Sequence, residues 1–366
     1  MRRSTGWKRR LSAVALAGCT AASVPVGGGI AQAAAPVPTV FFGDSYTSNY
    51  GIAPLAETDP AHPRYFCFRA KDNYPAVATR RLADRGIALR VQDDRSCGAA
   101  TISNFWEEQA LLPPLPLSVP PQQEAVTEDT RLVVGSMGGN TLGFARILKQ
   151  CSQRLRGAEG VLLPGEPVDG NSPAGECRRY FETGDGAKWL NSQLETVGSD
   201  LEGMFDRIRF FSGERAKAVL VGYPRLVPEN ERLCSTPVPG SRELPFADIE
   251  PNTLDFLDQV ETRLNKVMAD SAREHGARFV DLYAVTGGST ACNGQDRGIG
   301  GLLEPSEVKL GDAVLPWYAH PNPAAGTSRR SGSRTGSRAS SRTSRTDPRE
   351  PGCSAPQPRR AHGRPL

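Results

Sequence analysis

The sequence predicts an α/β domain built on a central parallel sheet. Five short runs are apolar along most of their length instead of alternating with polar residues, as in strands that are covered on both faces. Helical patterns separate these runs, and strand–helix alternation is typical of a parallel sheet. Once both chain ends are set aside, the 366-residue chain leaves about 290 residues, which fits one large domain with a single core.

The five predicted strands are spread through the body of the chain. They are 39–43 (TVFFG), 87–92 (IALRVQ), 131–137 (RLVVGSM), 217–223 (KAVLVGY) and 277–283 (ARFVDLY). Two helices are predicted, 74–86 and 253–276, of which the second has the clearest pattern, and glycines at 86 and 276 end them. The stretches 103–130, 151–190 and 224–252 are mostly rich in Pro and Gly, and we expect them to be loops that wall the site.

The first 35 residues have the composition of an export signal. Five basic residues without an acid precede the short apolar run LSAVALAGC, and the small-residue site Ala31-Gln32-Ala33 follows. The run is too short and too interrupted by glycine for a membrane-spanning helix. We therefore expect a secreted protein, cleaved near Ala33 or Ala35. The alternative is lipid anchoring through Cys19, because LAGC resembles a lipoprotein signal.

Residues 328–366 differ in composition from the domain at 36–327. They hold ten arginines and many serines but no Val, Ile, Phe, Met, Trp or Tyr, which predicts a disordered tail. Without both ends the body has 29 basic and 38 acidic residues, so its net charge is near −9 although the whole chain is at +4. No aromatic residues are interleaved in the tail for base stacking, and we expect no nucleic-acid partner.

Cysteine usage supports export. Six cysteines lie in the body: Cys67, Cys97, Cys151, Cys177, Cys234 and Cys292. An even set in an exported protein predicts three disulfides, and of fifteen possible connectivities we favour pairing of neighbours along the chain. The cysteines form no CxxC pair and the chain has four histidines, so we expect no metal site.

Ser45 is the candidate nucleophile. It follows the first predicted strand in Gly43-Asp44-Ser45, and sites in open parallel sheets form beyond the carboxyl ends of strands. A serine hydroxyl needs a base to take its proton. His320, in LPWYAHPNPAAGT, is the candidate, since His62 lies in a turn, His275 ends a helix and His362 lies in the tail. The alternative for His320 is a half-buried packing residue.

Two further strand ends offer hydrogen-bond donors. Gly98 in SCGAAT and Gly138-Gly139 before Asn140 allow backbone N–H groups to approach a ligand closely, and Asn140 adds a side-chain amide. Such donors stabilise the oxyanion formed in acyl transfer. Each also has a simpler interpretation, as a glycine turn or as an Asn that caps the helix starting near Leu142.

Taken in order, these residues resemble the blocks of the SGNH, or GDSL-type, hydrolases. Ser45 in Gly-Asp-Ser, Gly98, Asn140 in Gly-Gly-Asn and His320 match the four blocks, and VFFGDSYT, SCGAATISNFW, GGNTLGF, GYPRLVPE and WYAHPN resemble secreted actinomycete esterases. The resemblance implies a flavodoxin-like three-layer α/β/α sandwich. It also implies an ester hydrolase that works through an acyl-enzyme, with Ser45, Gly98 and Asn140 as the oxyanion hole and an ester or lipid substrate. We expect a monomer without a cofactor.

Two positions depart from the family. Where most members have an aspartate three residues before the histidine, this chain has Trp317. The resemblance implies a Ser-His dyad in which the Trp317 carbonyl orients His320, and Asp312 is the rival as a conventional third member. Where members usually continue into a helix that covers the sheet, the Arg/Ser tail follows, and the sequence leaves open whether stability or activity is reduced.

Other functions remain open at this point. The chain has no G-x-S-x-G elbow and no phosphate or dinucleotide motif in the right context. An interfacial lipase or phospholipase is the second enzymatic interpretation. Its acyl pocket would be lined by aromatic residues near the blocks, which are more often core: Tyr46, Tyr50, Phe105, Trp106, Phe144, Trp317 and Tyr318. The non-enzymatic alternative is a cell-wall or carbohydrate-binding scaffold.

Overall fold

A computed structural model of the chain describes residues 35–156 and 176–323. The strands are β1 (Val37–Gly43), β2 (Leu89–Asp94), β3 (Gln109–Leu111), β4 (Leu117–Val119), β5 (Leu132–Ser136), β6 (Lys217–Val221), β7 (Arg278–Val280), β8 (Pro305–Leu310) and β9 (Ala313–Pro316). The α-helices are α1 (Ser45–Ser48), α2 (Tyr74–Ala83), α3 (Gly139–Leu142), α4 (Phe144–Cys151), α5 (Gln153–Arg156), α6 (Glu176–Glu182), α7 (Gly184–Phe211) and α8 (Pro251–Glu274).

A five-stranded parallel sheet forms the centre of the molecule. Its strand order is β2-β1-β5-β6-β7, and every neighbouring pair is parallel. All five predicted strands are confirmed, and β1 lies inside the sheet, paired on one side with β2 and on the other with β5. The register places Gly43 beside Ser136, so the chain leaves β1 and β5 at the same edge of the sheet.

Helices cover both faces of this sheet in a three-layer α/β/α arrangement. On one face α7 and α8 pack against each other and against Val40, Phe42, Val133 and Leu220, which belong to the main hydrophobic core. On the other face α2 packs against β2. The two predicted helices are confirmed as α2 and α8, and Gly86 and Gly276, just past their ends, have φ of 78° and 67°.

The three stretches predicted as loops are only partly irregular. The segment 103–130 contains the hairpin β3–β4. The loop prediction for 151–190 is wrong where that segment is described, because it contains α5, α6 and the first turns of α7. The apolar residues at helical spacing in α7 begin at Leu190, so most of the sequence pattern that indicates this helix lies after residue 190. The segment 224–252 is mostly irregular, with one 3-10 turn over Glu231–Ser235.

Three disulfides join neighbouring cysteines along the chain, as expected. They are Cys67–Cys97, Cys151–Cys177 and Cys234–Cys292. The predicted export signal, apart from Ala35, and the Arg/Ser tail lie outside the described residues. No helix in the described ranges is long and apolar enough to cross a membrane.

Candidate active site

Ser45 stands at the first position of the short helix α1, directly beyond the carboxyl end of β1. Gly43 makes this sharp turn possible, because its φ is 140° and a Cβ there would lie 2.1 Å from the Thr47 Oγ1 and 2.7 Å from the Ser136 carbonyl oxygen. Asp44 caps α1 by accepting a 2.9 Å hydrogen bond from the Tyr46 N–H. The turn therefore fixes the direction of the Ser45 side chain, which is 9% exposed.

His320 reaches Ser45 from the segment that follows β9. Its Nε2 lies 2.7 Å from the Ser45 Oγ, although 275 residues separate the two in the chain. Its Nδ1 lies 2.9 Å from the Trp317 carbonyl oxygen and 3.0 Å from that of Tyr318. A carbonyl can only accept, so Nδ1 carries the proton and Nε2 is left as the acceptor that faces the serine hydroxyl.

The surroundings of His320 favour its neutral form. The rings of Tyr46 and Tyr50 lie 4.8 and 5.0 Å from the imidazole, centre to centre. Desolvation lowers the pKa of His320 to about 4, while the two backbone carbonyls act in the opposite direction. A neutral imidazole can accept a proton at any pH above that value.

Of the three candidate oxyanion donors, Asn140 and Gly98 are placed differently. The Asn140 amide Nδ2 donates to the Ala100 carbonyl oxygen at 2.9 Å, which holds the side chain. Its second amide hydrogen has no acceptor among residues 35–156 and 176–323. The Gly98 N–H instead donates to the Cys67 carbonyl oxygen at 2.9 Å. Both residues border the cavity that contains Ser45, but in this structure Asn140 offers a free donor and the Gly98 N–H is occupied.

Asp312 forms no hydrogen bond with His320 within the described residues. It is exposed in the turn between β8 and β9, and within the described residues its carboxylate makes no hydrogen bond or ion pair. The other two histidines of the described ranges have local partners, since the His62 Nδ1 accepts from the Arg64 N–H and the His275 Nδ1 bonds to the Ser271 carbonyl. His320 is thus the histidine that the fold brings to Ser45.

Comparison with known proteins identifies the family of the chain. The model of the GDSL-like Lipase/Acylhydrolase family matches residues 41–325, which is most of the chain. The chain belongs to this GDSL-like family. It is a serine ester hydrolase.

Similar proteins are named as esterases or lipases. The chain is 58% identical to an esterase of Streptomyces scabiei over 316 residues, which cover 86% of this chain and 90% of that protein. It is 28% identical to Lipase 2 of Streptomyces coelicolor over 312 residues, 85% of this chain and 87% of the lipase. Crystal structures of an extracellular lipase from Streptomyces rimosus and a phospholipase A1 from Streptomyces albidoflavus share the fold, each at 21% identity with a TM-score of 0.52, covering 80% of this chain and 95% of theirs.

The GDSL-like site opens into a cavity of about 670 Å³. One wall comes from Phe66, Phe68 and the β3–β4 hairpin, and another from Phe144 and Leu148 of α4. Of the aromatic residues singled out by sequence, Tyr46, Tyr50, Phe144 and Tyr318 line the cavity, whereas Phe105, Trp106 and Trp317 are not among its lining residues. Apolar walls around a few polar groups are typical of a site for a largely apolar ligand.

Two residues that hold the turn before Ser45 were not predicted from the sequence. Gln122 forms a pair of hydrogen bonds with Gly43, accepting from its N–H at 2.7 Å and donating to its carbonyl at 3.0 Å. Tyr223, two residues after β6, donates to the Asp44 carboxylate at 2.5 Å. Tyr223 ends a run predicted as a strand, which is a signal that it lies at the site edge of the sheet, but Gln122 has no local signal at all.

In the part of the chain that the structure describes, no group of three or more His, Cys, Asp or Glu side chains could hold a metal ion. The carboxylates near the site belong to Asp44 and Glu261, and both are buried: Asp44 is 1% exposed and Glu261 is 3% exposed.

Proposed function

We propose that this chain is an exported carboxylic-ester hydrolase that uses Ser45 and His320 as a catalytic dyad. The observation that carries the proposal is the 2.7 Å contact between the His320 Nε2 and the Ser45 Oγ, combined with the backbone carbonyls on Nδ1. A nucleophile within hydrogen-bond reach of an oriented base is the signature of covalent catalysis. Export rests on the signal-like residues 1–35 and on the three disulfides.

Acylation is the first half of the proposed reaction. The His320 Nε2 accepts the Ser45 hydroxyl proton as the Oγ attacks the ester carbonyl carbon. The resulting oxyanion is held by the Ser45 N–H and the second amide hydrogen of Asn140. His320 then gives its proton to the leaving alcohol as the carbon–oxygen bond breaks, which leaves an acyl group on Ser45.

Deacylation repeats these steps with water. His320 accepts a proton from water, the hydroxide attacks the acyl carbonyl, and the same proton returns to the Ser45 Oγ as the acid leaves. The Trp317 carbonyl takes the place of a carboxylate in orienting the imidazole. Gly98 contributes a third oxyanion donor only if its N–H is released from the Cys67 carbonyl, and one such donor is worth about 2.7–4 kcal/mol in the transition state.

The test combines labelling and turnover. A fluorophosphonate is expected to form a covalent adduct on Ser45, and Ser45→Ala and His320→Ala are each expected to lower kcat on p-nitrophenyl butyrate by at least about 10⁴-fold. Ser48→Ala is the matched control, because Ser48 is a buried serine one turn away whose Oγ donates to the Ser45 carbonyl. An unlabelled Ser45, or full turnover by Ser45→Ala, would favour the non-catalytic scaffold instead.

An interfacial lipase is the second candidate, and the apolar cavity favours it. Activity that rises sharply once a long-chain ester forms micelles is the lipase outcome. A preference for short esters in true solution is the esterase outcome. The intact mass of the secreted product distinguishes cleavage near Ala33 or Ala35 from lipidation at Cys19.

A further inference from the structure

Tyr223 is the point where three parts of the site meet. Its hydroxyl donates to the Asp44 carboxylate at 2.5 Å and accepts from the Gly139 N–H at 2.7 Å. Its ring packs edge-on against Tyr46 at 4.9 Å, and Tyr46 in turn lies against the His320 imidazole. One side chain thus contacts the residue before Ser45, the residue before Asn140 and the aromatic neighbour of the base.

The backbone of Tyr223 is itself held in place. Asn265 on α8 accepts from the Tyr223 N–H at 2.8 Å and donates to its carbonyl at 3.3 Å. Tyr223 is 5% exposed, so little water competes for its hydroxyl. Gly139 completes the fit, because a Cβ at that position would lie 3.2 Å from the Tyr223 hydroxyl oxygen. The hydroxyl therefore sits at a defined point between two turns.

These two turns supply different parts of the chemistry. The turn at Asp44, here called the nucleophile turn, directs the Ser45 side chain, whereas the turn at Gly139, the oxyanion turn, presents Asn140. Ser45 and Asn140 are 95 positions apart in the chain. Within the described residues, no hydrogen bond joins Ser45 of one turn to Asn140 of the other. Rate depends steeply on the distance between a nucleophile and the groups that stabilise its transition state, and a misplacement of about 1 Å can cost about 10²-fold.

We propose that Tyr223 is a positioning residue that sets the distance between the nucleophile turn and the oxyanion turn through its single hydroxyl. The inference rests on the dyad function proposed above. It assigns Asp44 a role as well: its carboxylate is the anchor by which the nucleophile turn is tied to Tyr223.

Ionisable groups surround Asp44 from several elements. Tyr46 faces it from α1, Tyr74 from α2 and Tyr223 from beyond β6, while Glu261 on α8 acts on Tyr46. Burial raises the pKa of Asp44 to about 7, and the hydrogen bond from Tyr223 lowers it. Loss of the Tyr223 hydroxyl is therefore expected to move the ionisation of Asp44 to higher pH.

The experiment compares Tyr223→Phe with Tyr74→Phe. Tyr74 is the matched control because its hydroxyl lies 3.3 Å from the Thr47 Oγ1, also beside α1, but does not contact the oxyanion turn. The measured kcat is divided by the fraction of sites that fluorophosphonate labels, so that it refers to active enzyme. On this basis Tyr223→Phe is expected to have a kcat about 10- to 100-fold below that of the wild type and a KM within about threefold of it. Tyr74→Phe is expected to keep kcat within about threefold.

A second readout is the pH profile of kcat. The wild type is expected to show an ionisation near pH 7, from Asp44, that moves to higher pH in Tyr223→Phe and stays in place in Tyr74→Phe. If Tyr223→Phe does not fold, Gly139→Ala tests the same spacing by crowding the hydroxyl. Gly198→Ala on α7 is its control, because a Cβ there meets Val267 at an ordinary 3.7 Å.

The outcomes separate the two proposals. A labelled Ser45 together with a Tyr223→Phe enzyme whose kcat and pH midpoint match the wild type would overturn the positioning role and leave the hydrolase intact. Equal losses in Tyr223→Phe and Tyr74→Phe would overturn it too. A wild type that fluorophosphonate does not label at Ser45 would instead overturn the dyad.

Discussion

The two halves of the candidate dyad are held by different kinds of groups. On the nucleophile side, buried side chains do the holding: Asp44 and Gln122 bond the turn, and Tyr223 bonds Asp44. On the histidine side, backbone carbonyls at 317 and 318 accept from His320, while the Tyr46 hydroxyl donates to the Ala319 carbonyl at 2.7 Å. The His320 ring is thus held mainly by main-chain atoms, which every residue type possesses.

The difference has a physical consequence for substitution and for pH. A backbone carbonyl cannot titrate and survives any side-chain replacement, provided that the chain keeps its path. That path depends on the Trp317 ring, which fills a space between Gly51 and Gly300, where a Cβ would lie 2.6 and 2.2 Å from it. The nucleophile side instead depends on polar side chains, each of which one substitution can remove, and one of them titrates near neutral pH.

The largest effect on stability is expected from Gln122→Leu. The change leaves the buried Gly43 N–H without a partner, while the Gly43 carbonyl keeps its bond from the Cys97 N–H. An orphaned buried donor costs about 1–3 kcal/mol, so the free energy of unfolding in urea should fall by about 2 kcal/mol. Gln123→Leu, the next residue of the same 3-10 helix, is the control. Equal losses of unfolding free energy from the two changes would show that the hydrogen bonds between Gln122 and Gly43 contribute nothing specific.

The pH dependence of activity tests the histidine side. His320 must be neutral to accept the serine proton, and the pKa of its imidazole is lowered to about 4. Apart from the step near pH 7 expected from Asp44, the value of kcat/KM should not change further down to pH near 4, and it should fall about tenfold per pH unit below that. An acidic limb near 6.5, the ordinary value for histidine, that persists in Asp44→Asn would contradict the desolvation of the imidazole.

Stability should respond to pH with opposite signs on the two sides. Because the pKa of His320 falls from 6.5 to about 4 on folding, its contribution is present above 6.5 and is lost as pH falls through that window. Because the pKa of Asp44 rises from 3.8 to about 7, its contribution is present at low pH and is lost as pH rises toward 7. Unfolding of wild type, His320→Gln and Asp44→Asn at several pH values between 4 and 7 measures both slopes.

The smallest effect is expected from Asp312→Asn. Asp312 is exposed in the β8–β9 turn, and the His320 Nδ1 already has backbone acceptors. We expect kcat and KM to stay within about twofold of the wild type, measured on the same p-nitrophenyl ester. A loss of 100-fold or more would mean that the carboxylate reaches the imidazole and that a conventional triad operates.

Much of the fold could be predicted because its signals are local. The five strands are continuous apolar runs, and α8 carries an uninterrupted helical period from Leu254 to Met268. The 28-residue helix α7 was not predicted, since its first turns contain Gly184 and Gly186 and follow a Pro/Gly-rich stretch. Local composition there favoured a loop, while burial of Leu201, Met204 and Ile208 against the sheet stabilises the helix.

The candidate site divides in the same way. Ser45, Asn140 and His320 could be predicted because each stands in a short motif with few competitors in the chain. Gln122 and Tyr223 could not, because their roles exist only as contacts to residues 79 and 179 positions away. Gly98 is the opposite case, because its sequence context suggested a free N–H. In the structure this N–H donates to the Cys67 carbonyl oxygen.

By itself, the amino-acid order determined the strands, the glycine-dependent turn at Ser45 and the short set of residues able to do acyl chemistry. These features follow from side-chain periodicity and backbone freedom, which act within a few residues. Only the tertiary structure decided that His320 lies beside Ser45, that backbone carbonyls and not the Asp312 carboxylate lie within hydrogen-bond distance of its Nδ1, and that Tyr223 joins two turns. Such distances depend on strand register and on packing between distant elements, which no local pattern encodes.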